Sequence, residues 1–426
     1  MTTSKQTFSA IAKPYKIATL GCRTNQYESQ AFRDQLEAMD YRPASAREPA
    51  HLCIVNTCTV TSSADASSRH EIRKLIRENP GAKIVVTGCA AEQDKAAIQA
   101  ISDQIQLVPN AQKENLVATL FPDEAVPEFS IKNFDAHTRA FVKVQDGCNS
   151  FCTYCIIPYV RGRSRSRKLC DVIAEVENLV ASGYKEIVIT GINVGDYSDP
   201  PHTLADLIRA VDAVKGVKRL RLSSIDPDEV DENLADAILN GRATCASMHI
   251  VLQAGSNILL KRMNRKYTRQ IFLETVEKLR SCNSDFTFTT DIIVGFPGET
   301  QEDFQQTLEV MQEVRFANVH MFPYSRRKRT RAALYPDQVP VELVKKRKAH
   351  LLQESEKISF ELRQEFVGRK MSVLTERAEG GVFGHTENFL PVYIPDVEIP
   401  PNTLVDVELV SNEPQGLIAV CEKAGC

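Results

Sequence analysis

Apolar runs at Lys16–Leu20, Leu52–Asn56 and Lys83–Thr87 alternate with stretches of helical period, about Asn25–Met39 and Ser63–Glu78, and a cysteine stands just past the end of each run. With a third helix after Ala91 and a short fourth run at Ile105–Val108, this rhythm predicts a parallel, doubly wound sheet. Such a sheet gathers the loops at the carboxyl ends of its strands into one ligand crevice. Cys22, in Leu20-Gly21-Cys22, Cys58, after Val55-Asn56-Thr57, and Cys89, after Val86-Thr87-Gly88, are therefore expected to meet in space as a three-thiolate metal site. Cys53 lies inside a run and reads as a core thiol instead.

Residues Glu124–Ala136 lose the pattern, contain Pro127 and read as a linker. Alternation resumes from Arg139 to Phe322, with strands expected at Arg139–Gln145, Glu186–Thr190, Lys218–Ser223, Met248–Leu252, Phe286–Val294 and Ala317–Met321. Six β/α units predict a partial barrel whose site lies at the carboxyl ends of the strands. After a charged helix near Val341–Phe366, short apolar segments from Lys370 onward alternate with Gly, Pro and Asn turns. That texture predicts a small antiparallel β-barrel of the OB-like sort. The chain thus reads as α/β, with a polar tail over 1–13 and domains at 14–123, 134–365 and 366–426.

At the end of the first barrel strand lies Cys148-Asn149-Ser150-Phe151-Cys152-Thr153-Tyr154-Cys155, a C-x3-C-x2-C run. Three thiolates this close can hold three irons of a cubane cluster and leave the fourth iron without a protein ligand. Zinc sites use paired spacings with four ligands, and no His or further Cys lies close by to complete one. A disulfide framework does not suit a chain of this length with a polar start and no apolar h-region, which is expected to stay in the cytoplasm. No apolar run approaches the length of a membrane span.

Tyr154, between two of these cysteines, is placed to stack beside a ligand or to support the loop from the core. Gly191 and Asn193 follow the second barrel strand, where glycine lets a ligand approach the backbone. Asp291, on the fifth strand, is expected to face the barrel interior, where a carboxylate needs a partner or a ligand. The formal net charge is −3, so nucleic-acid binding must rest on local patches. Two basic loops supply them on the expected rim: Arg161, Arg163 and Arg165 after the cysteine run, and Arg326 and Arg327 after the sixth strand.

These residues carry a resemblance. Cys148–Cys155 resembles the signature of radical S-adenosylmethionine enzymes. Thr19-Leu20-Gly21-Cys22-Arg23-Thr24-Asn25, Asn56-Thr57-Cys58-Thr59-Val60, Thr87-Gly88-Cys89-Ala90, Val144-Gln145-Asp146-Gly147-Cys148, Leu252-Gln253-Ala254-Gly255-Ser256 and Phe296-Pro297-Gly298-Glu299-Thr300 extend it to the methylthiotransferase family. Ala254 stands where the family pattern has Ser. The last stretch is similar to a TRAM domain. Leu222-Ser223-Ser224-Ile225-Asp226-Pro227 and His320-Met321-Phe322-Pro323-Tyr324-Ser325 are most like the bacterial branch acting on N6-threonylcarbamoyladenosine at tRNA position 37. Isopentenyladenosine or a ribosomal-protein aspartate are the alternative substrates within the family. A non-catalytic iron–sulfur RNA-binding protein is the alternative outside it.

The resemblance implies two [4Fe-4S] clusters, with S-adenosylmethionine as cosubstrate. The cluster on Cys148, Cys152 and Cys155 is expected to cleave S-adenosylmethionine into a radical that takes the hydrogen from adenine C2. The cluster on Cys22, Cys58 and Cys89 would deliver sulfur, and a second S-adenosylmethionine the methyl group. Radical chemistry is needed because that C–H is neither acidic nor easily attacked. The partners implied are the tRNA anticodon loop with A37 extruded, an electron donor and a sulfur donor, and no membrane.

Overall fold

The computed structural model describes residues 12–134, 137–376 and 381–421. The tail expected over 1–13 lies almost wholly outside the described residues, as do residues 135 and 136 of the linker. The chain forms two compact units, Met1–Ile131 and Lys132–Cys426.

The first unit contains β1 (Lys13–Thr19), α1 (Arg23–Glu37), β2 (Tyr41–Pro43), β3 (Leu52–Thr57), α2 (Ser62–Glu78), β4 (Lys83–Gly88), α3 (Cys89–Gln93), α4 (Lys95–Gln99), β5 (Ile105–Leu107) and α5 (Leu116–Leu120). Its strands form one sheet in the order β2-β1-β3-β4-β5, parallel throughout. Leu52, Ile54 and Val85 pack with Phe32, Leu36, Leu116 and Val117 on one face, and Cys53, Val55, Ile84 and Val86 with Ile72, Leu75 and Ile98 on the other. Burial on both faces is why β3 and β4 read as unbroken apolar runs. Helices on both faces confirm the doubly wound expectation, and the winding reverses between β1 and β3, where such folds place their crevice. Cys53 is a core thiol, its pKa pushed up to about 11 by burial. The edge strand β2 adds to the four expected strands; three residues ending in proline leave no periodic signal.

The second unit opens with β6 (Arg139–Lys143), then β7 (Gln145–Asp146), α6 (Ile157–Val160), β8 (Arg165–Ser166), α7 (Leu169–Ala181), β9 (Glu186–Thr190), a hairpin of β10 (Ser198–Asp199) and β11 (His202–Thr203), α8 (Leu204–Ala213), β12 (Arg219–Leu222) and α9 (Glu232–Leu239). It continues through β13 (Ser247–His249), α10 (Asn257–Arg262), α11 (Arg269–Cys282), β14 (Thr287–Val294), α12 (Gln301–Val314), β15 (Asn318–Pro323) and α13 (Val341–Gln364). Parallel ladders β6-β9-β12 and β13-β14-β15 are joined by bridges from Leu220 to Thr244 and Ile225 to Ile250. Six parallel strands therefore follow one another in chain order, as a partial barrel requires. β13 is shorter than expected, because Ile250–Gln253 run on through single bridges only.

The strands β16 (Lys370–Glu376), β17 (Gly381–Thr386), β18 (Pro391–Pro395), β19 (Leu404–Glu413) and β20 (Gly416–Cys421) close as β16-β17-β18-β20-β19. Four pairings are antiparallel and β18–β20 is parallel. This is the small OB-like barrel expected, and its one parallel pair has a topological reason: in a closed ring of five strands, direction cannot alternate at every step. Leu362 of α13 and Phe366, just past its end, join the barrel's core around Val373, Val392, Val407 and Leu417.

The β17–β18 turn docks on the amino ends of the central strands. Arg219 donates to the carbonyls of His385 (2.8 Å) and Ser372 (2.6 Å). Arg221 donates to those of Glu387 (2.9 Å) and Thr386 (3.0 Å), and Thr287 to that of Asn388. Glu186, 1 % exposed, accepts from Arg221 at 2.7 Å and lies 3.8 Å from Arg219, so the buried arginines are compensated.

Candidate metal centre and substrate rim

The Cys148 loop leaves the carboxyl end of the first barrel strand through a tight backbone crossing. Gly147 has φ +73°, and a Cβ there would lie 2.1 Å from the Arg163 carbonyl oxygen, so only glycine fits. Phe151, also left-handed at φ 48°, turns the chain between the first two cysteines. The loop is then held from the segment after α10. Thr153 N–H donates to Met263 O (2.9 Å), Thr153 Oγ1 to Arg262 O (2.9 Å), and Asn264 Nδ2 to the carbonyls of Ser150 (3.3 Å) and Phe151 (3.2 Å). Arg265 Nη1 donates to Cys152 Sγ at 3.0 Å. Burial pushes the Cys155 thiol above its ordinary range, and the charges of Cys152 and Cys148 push it further. Burial likewise raises Cys148, partly offset by the Ser150 N–H. Three thiolates that repel one another in a half-buried loop suit a cationic iron cluster, which relieves both costs.

Tyr154 is half-buried, edge-on to Phe296 at 6.3 Å, beside a cluster that includes Met263 and Tyr267. Gly191 is required by a neighbouring side chain: a Cβ there would meet Gln145 Oε1 at 2.9 Å. That same oxygen accepts from Ile192 N (3.0 Å) and Asn193 N (2.9 Å), fastening the turn after β9 to the root of the cysteine loop. Asn193 Nδ2 donates to Glu229 Oε1 at 2.8 Å. The Glu229 carboxyl is pushed up to about 7, by burial first and by the charge of Asp226 next. Asp291 shares its face of β14 with Thr289, opposite the buried Phe288 and Ile292, and lies 3.4 Å from His249 Nε2. Gln145, Glu229, Asn264 and Arg265 carry no spacing signal of their own. Gln145 is marked only as part of the Val144–Cys148 motif that carries the resemblance, with no role attached.

In the first unit, Cys22 caps α1 at the end of β1, Cys58 follows β3, and Cys89 opens α3 directly after β4. β1, β3 and β4 are neighbours, so the three loops adjoin. A Cβ on Gly21 would lie 2.8 Å from Cys58 Sγ, and one on Gly88 would lie 2.4 Å from Thr57 O. Cys58 and Cys89 are buried and Cys22 is exposed. Among the described residues, no three His, Cys, Asp or Glu side chains stand gathered as a finished metal-ligating group. Each cysteine set is a trio of adjoining positions whose donor chemistry, three thiols, suits an iron–sulfur cluster.

The basic loops divide. Arg161 turns inward, 2.8 Å from Asp146, and Arg327 is buried, whereas Arg163, Arg165 and Arg326 are exposed. Arg163 lies over the Phe151 ring at 4.4 Å, Phe151 meets Tyr159 edge-on at 6.3 Å, and Arg329 lies over Tyr159 at 5.0 Å. Two adjoining aromatic rings, each with an arginine over it, thus run along the outside of the cysteine loop.

Comparison with known proteins places this arrangement. Residues 142–311 match the Radical SAM superfamily and residues 14–109 the Uncharacterized protein family UPF0004. The chain is 48% identical, over 97% of its length and 99% of the relative's, to the threonylcarbamoyladenosine tRNA methylthiotransferase MtaB of Chlamydia pneumoniae. The chain belongs to the radical SAM methylthiotransferases. Another methylthiotransferase, MtaB of Bacillus subtilis, is 35% identical over 92% of each chain. The tRNA-2-methylthio-N(6)-dimethylallyladenosine synthase of Carboxydothermus hydrogenoformans is 36% identical over 85% of this chain and 88% of its own. In fold, the chain is similar to the radical S-adenosylmethionine methyltransferase TsrM of Kitasatospora setae, with TM-score 0.56 at 15% identity over 86% and 79% of the two chains. Radical SAM methylthiotransferases use S-adenosylmethionine and [4Fe-4S] clusters, the donor chemistry found here. No helix among the described residues is long and apolar enough to cross a membrane.

Proposed function

We propose that this methylthiotransferase converts N6-threonylcarbamoyladenosine at position 37 of tRNA to its 2-methylthio derivative. The observation that carries the reading is the pair of three-cysteine sets, one in each unit, both at the carboxyl ends of parallel strands. Cys148, Cys152 and Cys155 would hold one [4Fe-4S] cluster and Cys22, Cys58 and Cys89 the other. When bound, these groups and S-adenosylmethionine supply radical removal of the C2 hydrogen, the sulfur and the methyl group.

The chain's own residues shape the site. Asn264 and Thr153 fix the cysteine loop, and Gln145 ties it to the Gly191–Asn193 turn. Tyr154, Gly191, Asn193 and Asp291 belong to the surroundings of S-adenosylmethionine in this reading. Arg163, Phe151, Tyr159 and Arg329, with Arg165 and Arg326, offer charge to phosphates and flat faces to unstacked bases. We assign 14–123 to the sulfur-delivering domain, 134–365 to the radical-forming domain and 366–426 to a TRAM-like RNA-binding domain. An electron donor and a sulfur donor complete the partners, in the cytoplasm.

The names of the Chlamydia and Bacillus relatives support the threonylcarbamoyl substrate, and that of the Carboxydothermus relative favours dimethylallyladenosine as the second reading. Mass spectrometry of tRNA nucleosides from a deletion strain decides between them. Loss of the 2-methylthio group from threonylcarbamoyladenosine alone is the expected result. Loss from the dimethylallyl nucleoside would favour the second reading, and no loss from either would overturn both.

A further inference from the structure

Arg265 is held on three sides. Nη1 donates to Cys152 Sγ at 3.0 Å, Nε to Tyr267 Oη at 3.0 Å, and Nη2 to the Asp226 carboxylate. Tyr267 is fixed in turn, donating to Val251 O at 2.6 Å, and the Arg265 guanidinium lies 4.8 Å from its ring. The Arg265 side chain is 6 % exposed. A planar guanidinium with each edge engaged has one orientation, and here that orientation aims a charged N–H at one sulfur of the cysteine run. Neither Cys148 nor Cys155 accepts such a donor from a charged side chain among the hydrogen bonds of the described residues; Cys148 Sγ takes the uncharged Ser150 N–H, at 3.4 Å.

We propose that Arg265 sets the reduction potential of the cluster on Cys148, Cys152 and Cys155 through this N–H···S bond, with Asp226 and Tyr267 as the residues that aim it. The proposal rests on the reading of Cys152 as a cluster ligand. A charged donor draws electron density from the ligand sulfur, which stabilises the reduced, more negative cluster and eases its one-electron reduction. The electron comes from an external low-potential reductant, and no bond to Arg265 forms or breaks. An arginine that only packed the loop would affect stability and leave the potential alone.

The test reads the cluster in the absence of S-adenosylmethionine. In full-length protein carrying Cys22→Ala, Cys58→Ala and Cys89→Ala, only one cluster contributes to a dithionite titration followed by electron paramagnetic resonance. Arg265→Gln is expected to lower the equilibrium constant for reduction about tenfold, which is about 59 mV for one electron. It should also abolish a solvent-exchangeable proton coupling to the reduced cluster. Arg265→Lys keeps the charge without the fork and should shift the midpoint in the same direction by less. An unchanged midpoint in Arg265→Gln overturns the proposal, whether or not the proton coupling is lost. If that variant holds no iron, the same two readouts on Arg265→Lys decide it. A parent protein that binds no cluster, or whose cluster signal ignores added S-adenosylmethionine, overturns the functional reading and this proposal together.

Discussion

Asn264 holds the cysteine loop from 114 positions downstream, its amide donating to the carbonyls of Ser150 and Phe151 while its own backbone sits left-handed at φ 61°. Asparagine is among the few residues that tolerate that conformation and still offer a donor. Asn264→Gly keeps the backbone and loses the clasp. Asn264→Ala loses both, and is expected to cost a further ~1 kcal/mol from the left-handed backbone. Denaturant unfolding with iron analysis should rank the parent above Asn264→Gly and that above Asn264→Ala, with iron per chain falling in the same order.

The two cysteine sets should separate functionally. Cys148→Ala is expected to lose one cluster and all reductive cleavage of S-adenosylmethionine. Cys58→Ala should keep cleavage and make no thiomethylated nucleoside. Chromatography of 5′-deoxyadenosine and of digested tRNA reads both, and thiomethylated product from Cys58→Ala would refute the division of labour.

Glu229 makes stability depend on pH. Its folded pKa lies near 7 against an ordinary 4.5, so its proton favours the folded state fully below 4.5 and that contribution is lost as pH rises through 7. Glu229→Gln stays neutral and still accepts from Asn193. It should match the parent at low pH and exceed it at about pH 8 by on the order of 2 kcal/mol, measured by denaturant midpoints. A constant difference across the range would show that Glu229 does not titrate as described.

The arginine–aromatic ladder should be felt by RNA. Tyr159, 36 % exposed, is expected to lose roughly 1–3 kcal/mol of binding on replacement by alanine if a base stacks there. Arg163→Ala should reduce the salt dependence of the affinity for an anticodon stem-loop. Equal affinity and equal salt slope in both variants would remove the ladder from the interface.

Within the first unit, Lys113 Nζ lies 2.7 Å from Glu28 Oε2, and both side chains are buried. Lys113→Met should destabilise the protein by roughly 3 kcal/mol, because Glu28 is left as a poorly compensated charge. Adding Glu28→Gln should recover most of that in thermal or denaturant unfolding.

Legibility in the sequence followed how local each interaction is. Buried on both faces, β3 and β4 announce themselves as apolar runs, and strand order alone brings Cys22, Cys58 and Cys89 to adjoining loops. The parallel β18–β20 pair is invisible locally, since it follows from closing an odd number of strands. Arg265 and Glu229 find Asp226 and Asn193 39 and 36 residues away, and no periodicity reports such a meeting. A run of arginines likewise does not reveal that Arg161 turns toward Asp146 while Arg163 faces solvent.

The strands and turn that Arg219 and Arg221 grip cover the base of the central strands, the end opposite the cysteine loop. Deleting the residues after α13 would bare two arginines and Glu186 at that base, so the small barrel cannot be shed as an accessory.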